Sequence, residues 1–250
     1  MDIQIRSAKS EELEELIELQ SKALRVLSVK DYTAKEIEII VKTQATIRQY
    51  YKEIVFVAEQ KTISNSPLTP RMREDRENNS QKHFNDAAAE VVEVQYKPIT
   101  NNKIVGFSCL SSSAHNIGGV YIHPDYIRQK IGTKLLQAIE EVSISKKHKI
   151  IWVKSSLNAI RFYQSNGYTK HFFSRIWLDV NPIDIAIMSK PLVPLTASDK
   201  TQKNRILLRE KARDTIMMII FAIIFAIRIF LTILTIVTIV FFIISIILAF

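Results

Sequence analysis

The chain has 250 residues, 47% hydrophobic and 24% charged, with only 5 Gly and 7 Pro. That length suits one sizeable domain plus an appendage, and the composition excludes a disordered polymer. The formal net charge of +9 is spread without a long basic block, so nucleic acid is a weak inference and not the expected partner, and an anionic cofactor or a membrane surface suits the charge equally well. The single cysteine, Cys109, excludes an internal disulfide and, lying in an apolar strand, reads as a small buried hydrophobe in a reducing compartment.

In chain order, Ile3 and Ile5 alternate with polar residues as a first strand, and a charged helix follows, so no signal peptide is expected. Ser10 is placed to cap that helix, in which Leu13, Leu16, Ile17, Leu24 and Leu27 recur at helical spacing. Thr33 and Glu36 form a capping box for a second helix with Ile37, Ile40 and Val41 on one face. Residues 54–58 and 103–110 read as strands. Between them, residues 61–102 carry too little apolar content for a fixed fold, and we expect a flexible insertion in a hairpin, either a lid or partner arm or a solvated loop. Within it, VVEVQY at residues 91–96 alternates and extends one strand of that hairpin.

Residues 117–136, IGGVYIHPDYIRQKIGTKLL, organise the rest. Branched and aromatic residues make a strand, Pro124 halts it, and a basic loop opens a helix with Leu135 and Leu136 on one face. The first backbone N–H groups of a helix have no intrahelical partner and sit at the positive end of its dipole, so such a loop is suited to an anion. Arg128, Gln129, Lys130, Ile131, Gly132 and Thr133 supply those amides; Gly132 permits close approach, while Arg128 and Lys130 add positive charge suited to a pyrophosphate. Leu135, Leu136, Ile139 and Val142 continue the helix face, KKHK at residues 146–149 ends it, and residues 150–153 form the next strand. The stretch SSLNAIRFYQSNGY follows as a short helix with Gly167 as its C-terminal cap, then two closing strands at residues 168–173 and 183–188.

The sequence HPDYIRQKIGTKLL resembles the acyl-CoA-binding motif of the GNAT acetyltransferases, with Ile127 where the family usually has Gln or Arg and Lys130 where it has the first Gly. SLNAIRFYQSNGY is similar to that family's NAxxFYxxxGF segment, matching at Asn158, Ala159, Phe162, Tyr163 and Gly167, with Tyr168 in place of Phe. The element order β, α, α, β, β, β, α, β, α, β, β agrees with a complete domain of this family over about residues 3–192. The resemblance implies a mixed α/β sheet with the GNAT acyl-CoA N-acyltransferase fold, and acetyl-CoA as co-substrate. It implies Tyr163 as the general acid at the CoA sulfur, and pantetheine contacts from Asn158 and from the backbone of Tyr121 and Ile122. Those backbone contacts need the strands beginning at Ile117 and Ile150 to splay apart.

From the residues alone, Phe162 and Tyr163 are also ordinary helix positions facing a core, and Asn158 equally suits the first turn of its own helix. A phenol, ordinarily ionising near about pH 10, stays protonated at neutral pH and is able to serve the departing thiolate. A general base is not evident: Asn116 stands where many relatives have a carboxylate, and His115 beside it is either a base or a solvated turn residue. His123 belongs to the turn, and the 5 histidines show no metal-ligand spacing, so no metal is expected.

After a domain ending near residue 194, residues 195–214 form a basic linker and residues 215–250 an apolar stretch interrupted by Arg228. Residues 215–227 span only about 20 Å of helix, too short for a hydrocarbon core of roughly 30 Å, whereas residues 229–250 span about 33 Å. Arg228 mid-bilayer would cost on the order of 3 kcal/mol, so we place it near the interface. The preceding basic segment puts that side in the cytoplasm. The expectation is a membrane-tethered N-acetyltransferase, single-pass and facing the cytoplasm, acting on a small-molecule or peptide amine. The alternatives are a non-catalytic acyl-CoA-binding module at the membrane, or a membrane-assembly protein whose tail oligomerises.

Overall fold

Helix and strand boundaries follow from capping and alternation. The computed structural model describes residues 2–50, 53–64, 99–178 and 181–249. Strand β1 (Ile3–Ser7) leads through a 3-10 turn to α1 (Leu13–Leu27). The cap differs from expectation: Lys9, not Ser10, is the N-cap of that turn, and its N–H donates to the Glu12 carboxylate at 2.8 Å. The capping box of α2 (Ala34–Tyr50) is present, with Thr33 N–H donating to Glu36 Oε2 at 2.7 Å and Glu36 N–H to Thr33 Oγ1 at 3.3 Å.

β2 (Glu53–Ser64) and β3 (Ile99–Ser111) pair in antiparallel register from Glu53↔Ser111 to Ser64↔Ile99. The hairpin therefore reaches further than expected: residues 61–64 and 99–102 belong to its ladder rather than to the insertion, because pairing satisfies backbone groups whatever the polarity of the side chains. The rest of the expected insertion, including residues 91–96, lies outside the described residues. β4 (Asn116–Ile122), α3 (Ile131–Ser145), β5 (Ile150–Ser156), α4 (Ile160–Ser165), β6 (Thr169–Leu178) and β7 (Asn181–Pro191) complete the sheet in the order β1-β2-β3-β4-β5-β7-β6. Ser155 proves to be a strand residue, and α4 begins only after a 3-10 turn at Leu157–Ala159.

The helices cover both faces. Leu16 and Leu19 of α1 pack on Val57, Ile104 and Phe107, while Ile37 and Val41 of α2 pack with Leu24, Tyr32 and Ile183. On the other face α3 places Ile131 and Leu135 on Ala58 and Val105, and Leu136 and Ile139 on Ile151 and Met188. Each such fully buried side chain contributes roughly 1.5–3 kcal/mol by leaving water.

The residues expected to be a linker are helical. A single α-helix, α5 (Ala197–Ala249), is 53 residues long, about 80 Å. Thr196 caps it by accepting the Asp199 N–H at 3.3 Å, and Asp199 takes the Lys149 ammonium at 2.9 Å. The helix then runs beside β6, an edge strand of the sheet. Lys154 Nζ lies 3.7 Å from Glu210 Oε2, Ser174 donates to Asp214, Arg175 Nη1 lies 3.8 Å from Met218 Sδ, and Trp177 stacks on Phe221. The contacts run from Lys154 of β5 to residues on both faces of β6, so the helix passes from the body of the sheet to its edge strand. Residues 215–221 thus begin the apolar stretch while still docked on the domain. Beyond them large apolar side chains stand exposed, Phe225 and Phe241 among them. Among the described residues this is the one helix long and apolar enough to cross a membrane.

Candidate active site

The site begins where the sheet comes apart. β4 and β5 run parallel but share only the register pairs Asn116↔Trp152 and Ile117↔Val153. Beyond them the β5-facing edge of residues 118–122 is released, while its other edge remains paired to β3. The V between the strands holds α4 and opens into two cavities. The larger, about 550 Å³, is lined by Ile122, Arg128, Lys130 to Thr133 and Asn158, with Phe162 on α4 as its inner wall. The smaller, about 90 Å³, lies on the α1–α2 face, with Tyr121 and Tyr163 in its wall. Val120 and Ala159 line both, so α4 partitions them, Phe162 toward one and Tyr163 toward the other.

At one end of the larger cavity α3 starts without a side-chain cap. Its first helical bond runs from Lys134 N–H to Lys130 C=O at 3.1 Å, leaving the amides of Ile131, Gly132 and Thr133 without intrahelical partners. Lys130 takes the left-handed conformation, φ 60° and ψ 11°, and Arg128 also has φ 62°. The backbone therefore takes the turn a glycine would make, at a cost of roughly 1 kcal/mol for each non-glycine residue. A Cβ on Gly132 would stand 3.0 Å from Phe162 Cε2, so helix α3 meets α4 in contact at this residue. Gln129 is exposed and does not line the cavity.

Asn158 does not cap its own helix. Its Nδ2 donates to Leu27 C=O at 3.3 Å, and its buried Oδ1 has no partner. An orphaned acceptor in the wall of a cleft fits an amide N–H donor of a bound chain, and so does the released edge of β4. These features fit a pantetheine arm along β4 with a diphosphate at the start of α3.

Tyr163 is 3% exposed, and burial, then the neighbouring Tyr121 and Cys109, raise its hydroxyl well above the ordinary phenol range. It keeps its proton and is a donor. Behind it Tyr168 donates to Glu140 Oε1 at 2.9 Å, and Lys190 Nζ meets Glu140 Oε2 at 2.7 Å. This network fixes the ring that packs edge-on against Tyr163, 5.3 Å between centroids.

Three features on the α1–α2 face of the sheet escaped the sequence reading. The first is Glu53 at the start of β2: its Oε1 lies 2.6 Å from the Cβ position that Gly118 leaves empty, beside Cys109 Sγ at 2.9 Å. The second is the Gly118–Gly119 pair itself. A Cβ on Gly119 would stand 2.4 Å from Tyr121 Cε2, so the tyrosine ring lies over bare strand. Paired glycines inside a strand signal close approach and were the available clue. The third is Tyr32, whose hydroxyl donates to Asp184 C=O at 2.7 Å and accepts Leu157 N–H at 2.9 Å, tying the α1–α2 connection to β7 and to the turn after β5. Burial lifts its pKa to about 12. By contrast His115 stacks near His148, 5.5 Å between ring centroids, and lines neither cavity. His123 serves the turn, its Nδ1 accepting from Asp125 N–H at 3.3 Å.

Residues 90–170 match the family model of the GNAT acetyltransferase domain. No curated protein matches the chain in sequence. Among solved structures, the chain is similar to a GCN5-related N-acetyltransferase from Rhodopseudomonas palustris, at 17% identity and TM-score 0.55 over 76% of this chain and 96% of that one. The PaiA N-acetyltransferase from Thermoplasma acidophilum in complex with coenzyme A is similar at 19% identity and TM-score 0.47, over 76% of this chain and 99% of its own. The ribosomal-protein-S18-alanine N-acetyltransferase from Escherichia coli is similar at 14% identity and TM-score 0.44, over 78% and 97% respectively.

Proposed function

We propose, on the premise that this chain carries a GNAT acetyltransferase domain on the fold of that family, that it moves an acetyl group from acetyl-CoA to a primary amine while held to a membrane by α5. The observation that carries the reading is the partition made by α4: a cleft with free amides on one side and a buried protonated phenol on the other, joined at Val120 and Ala159. The diphosphate of acetyl-CoA takes the amides of Ile131, Gly132 and Thr133, with Arg128 and Lys130 supplying charge. The pantetheine amides take the backbone of Tyr121 and Ile122 and the Asn158 Oδ1 left orphaned. The thioester then lies near Val120, where the neutral amine attacks its carbonyl. As the C–S bond breaks, Tyr163 gives its proton to the departing thiolate, and the proton that the attacking nitrogen sheds as the amide forms returns the phenolate to phenol through solvent; the donor role is worth typically 10²–10⁴-fold in rate.

The membrane part rests on α5. Residues 229–249 give about 31 Å of helix, enough for a hydrocarbon core. Exposed side chains such as Phe230 and Phe241 have no other cover among the described residues. By the positive-inside rule, the basic residues just ahead of the apolar stretch, such as Arg209, Lys211 and Arg213, favour the cytoplasmic side for the domain.

The test uses the full chain in lipid nanodiscs, with calorimetric titration of acetyl-CoA and a thiol-release assay over an amine panel. Binding with turnover supports the reading. Binding without turnover on any amine leaves an acyl-CoA-binding module, and no binding at high micromolar acetyl-CoA removes both.

A further inference from the structure

The direction of α5 against the sheet selects which end of the domain meets the bilayer. Resting on the reading of α5 as a membrane span, we infer that the free end of the β6–β7 hairpin, at Trp177, Leu178, Asn181 and Pro182, is seated on the lipid headgroup layer, with the zwitterionic interface as its partner.

The contacts of α5 climb β5 from Lys149, paired with Asp199, to Lys154, beside Glu210, and then climb β6 from Ser174, bonded to Asp214, to Trp177, stacked on Phe221. The two sides advance at the same pace. At 1.5 Å per helical residue and about 3.3 Å per strand residue, Lys149 to Lys154 and Asp199 to Glu210 each cover about 17 Å, while Ser174 to Trp177 and Asp214 to Phe221 each cover about 10 Å. The helix axis therefore follows the strands. Both β5 and β6 are antiparallel to β7, so they run the same way, toward the apolar half of α5.

Height follows from the same helix. Residues 197–249 contain neither Pro nor Gly, the usual causes of a sharp bend, so the line of the docked half continues into the span. Only residues 222–228, about 10 Å of helix, separate Phe221 from the residues counted as spanning. The headgroup layer is roughly 5–8 Å deep on each side of the hydrocarbon core. Trp177 thus stands just above it, and the pair Leu178↔Asn181, one step of about 3 Å further on, reaches its top.

The residue types suit that place. Trp177, Leu178, Val180, Asn181 and Pro182 are uncharged, Asp179 is the one formal charge among them, and Asp184 nearby is paired with Arg175 at 2.7 Å. Tryptophan favours the membrane–water interface, and this stretch lacks the basic cluster that anionic lipid would need. The smaller cavity shares this end, because Ile176, Leu178 and Ile183 line it, so its wall is held close to the lipid surface.

The chain's two tryptophans mark two heights on β7, Trp177 opposite Pro182 and Trp152 opposite Ser189, about 23 Å apart along the strand. The experiment reconstitutes the full chain in phosphatidylcholine vesicles that carry either a headgroup spin label or bromine at mid-chain, and reads the loss of tryptophan emission against unlabelled vesicles. Trp152→Phe reports Trp177, and Trp177→Phe, which keeps an aromatic ring against Phe221, reports Trp152. Both substitutions together with Phe241→Trp report the span. The headgroup label is expected to quench Trp177 and spare Trp152, and mid-chain bromine to quench the reporter at position 241 alone. In the unmutated chain the headgroup label is expected to remove one part of the emission and leave the rest. A quenched reporter at position 241 with Trp177 spared, or no loss from the headgroup label in the unmutated chain, overturns the inference and leaves the tether standing. Equal headgroup quenching of Trp152 and Trp177 means a domain lying on its side and overturns it too. No quenching at position 241 removes the membrane span and the seating together.

Discussion

Trp177 stacks on Phe221 with ring centroids 3.5 Å apart and planes 14° from parallel, joining the last turns of the docked helix to the edge strand. An aromatic pair contributes about 0.5–1.5 kcal/mol beyond its buried area. Phe221→Ala is expected to leave acetyl-CoA binding within twofold while releasing α5 from β6. Hydrogen exchange is the check: faster exchange over residues 214–221, with unchanged protection of α3, is the expected pattern, and unchanged protection throughout would show that the stack does not hold the stem.

Tyr163→Phe keeps the ring that packs against Tyr168 and removes the proton donor. Turnover is expected to fall 10²–10⁴-fold with the Kd for acetyl-CoA within twofold. The phenol's raised pKa gives a second readout. Because the folded state holds the proton more tightly than the unfolded chain, this residue's contribution to stability is complete below about pH 10 and is lost as pH rises beyond it. Wild-type protein is therefore expected to lose stability above pH 10 more steeply than Tyr163→Phe in denaturant titrations.

Lys130→Gly relieves a left-handed backbone at the head of α3. A gain of about 1 kcal/mol is expected from removing that strain, a rise in Tm of about 2–4 °C for a domain of this size. The same change deletes a cation from the diphosphate site, so acetyl-CoA affinity is expected to become less salt-dependent. Calorimetry at two ionic strengths separates the two effects.

At the start of α5, the Lys149 ammonium first, then the Thr196 hydroxyl and N–H, hold the Asp199 carboxyl down to about 2 from its ordinary 3.8. A depressed carboxylate contributes stability above the unfolded value and loses it as pH falls through the folded one. The first turn of α5 is expected to fray between about pH 4 and pH 2, followed by the Thr196 amide resonance, and Asp199→Asn is expected to abolish that acid step.

Elements with local causes were legible in the sequence. The Thr33–Glu36 box, the leucine stripe of α1, the strand-loop-helix around Gly132 and the closing strands depend on spacing and capping within a few residues, and the observed fold reproduces their order. The splay of β4 from β5 was implied by the family resemblance, through the backbone contacts a pantetheine arm would need, and the strands share only two register pairs. Arg128, Lys130, Ile131, Gly132, Thr133 and Ile122 gather around one cleft because they are consecutive or nearly so.

What depended on distant contacts was not legible. Glu53 reaches Gly118 across β3, and Tyr32 bonds to residues more than a hundred positions away, so neither leaves a periodic trace. The tail divides along the same line. The sequence by itself determined that residues 229–250 are long and apolar enough to span a bilayer, since that property belongs to composition and helix rise alone. Only the tertiary structure decided that the helix starts at Ala197 and that Met218 and Phe221 lie against Arg175 and Trp177. Docking depends on which side chains an edge strand presents, and that is fixed only after the sheet has formed.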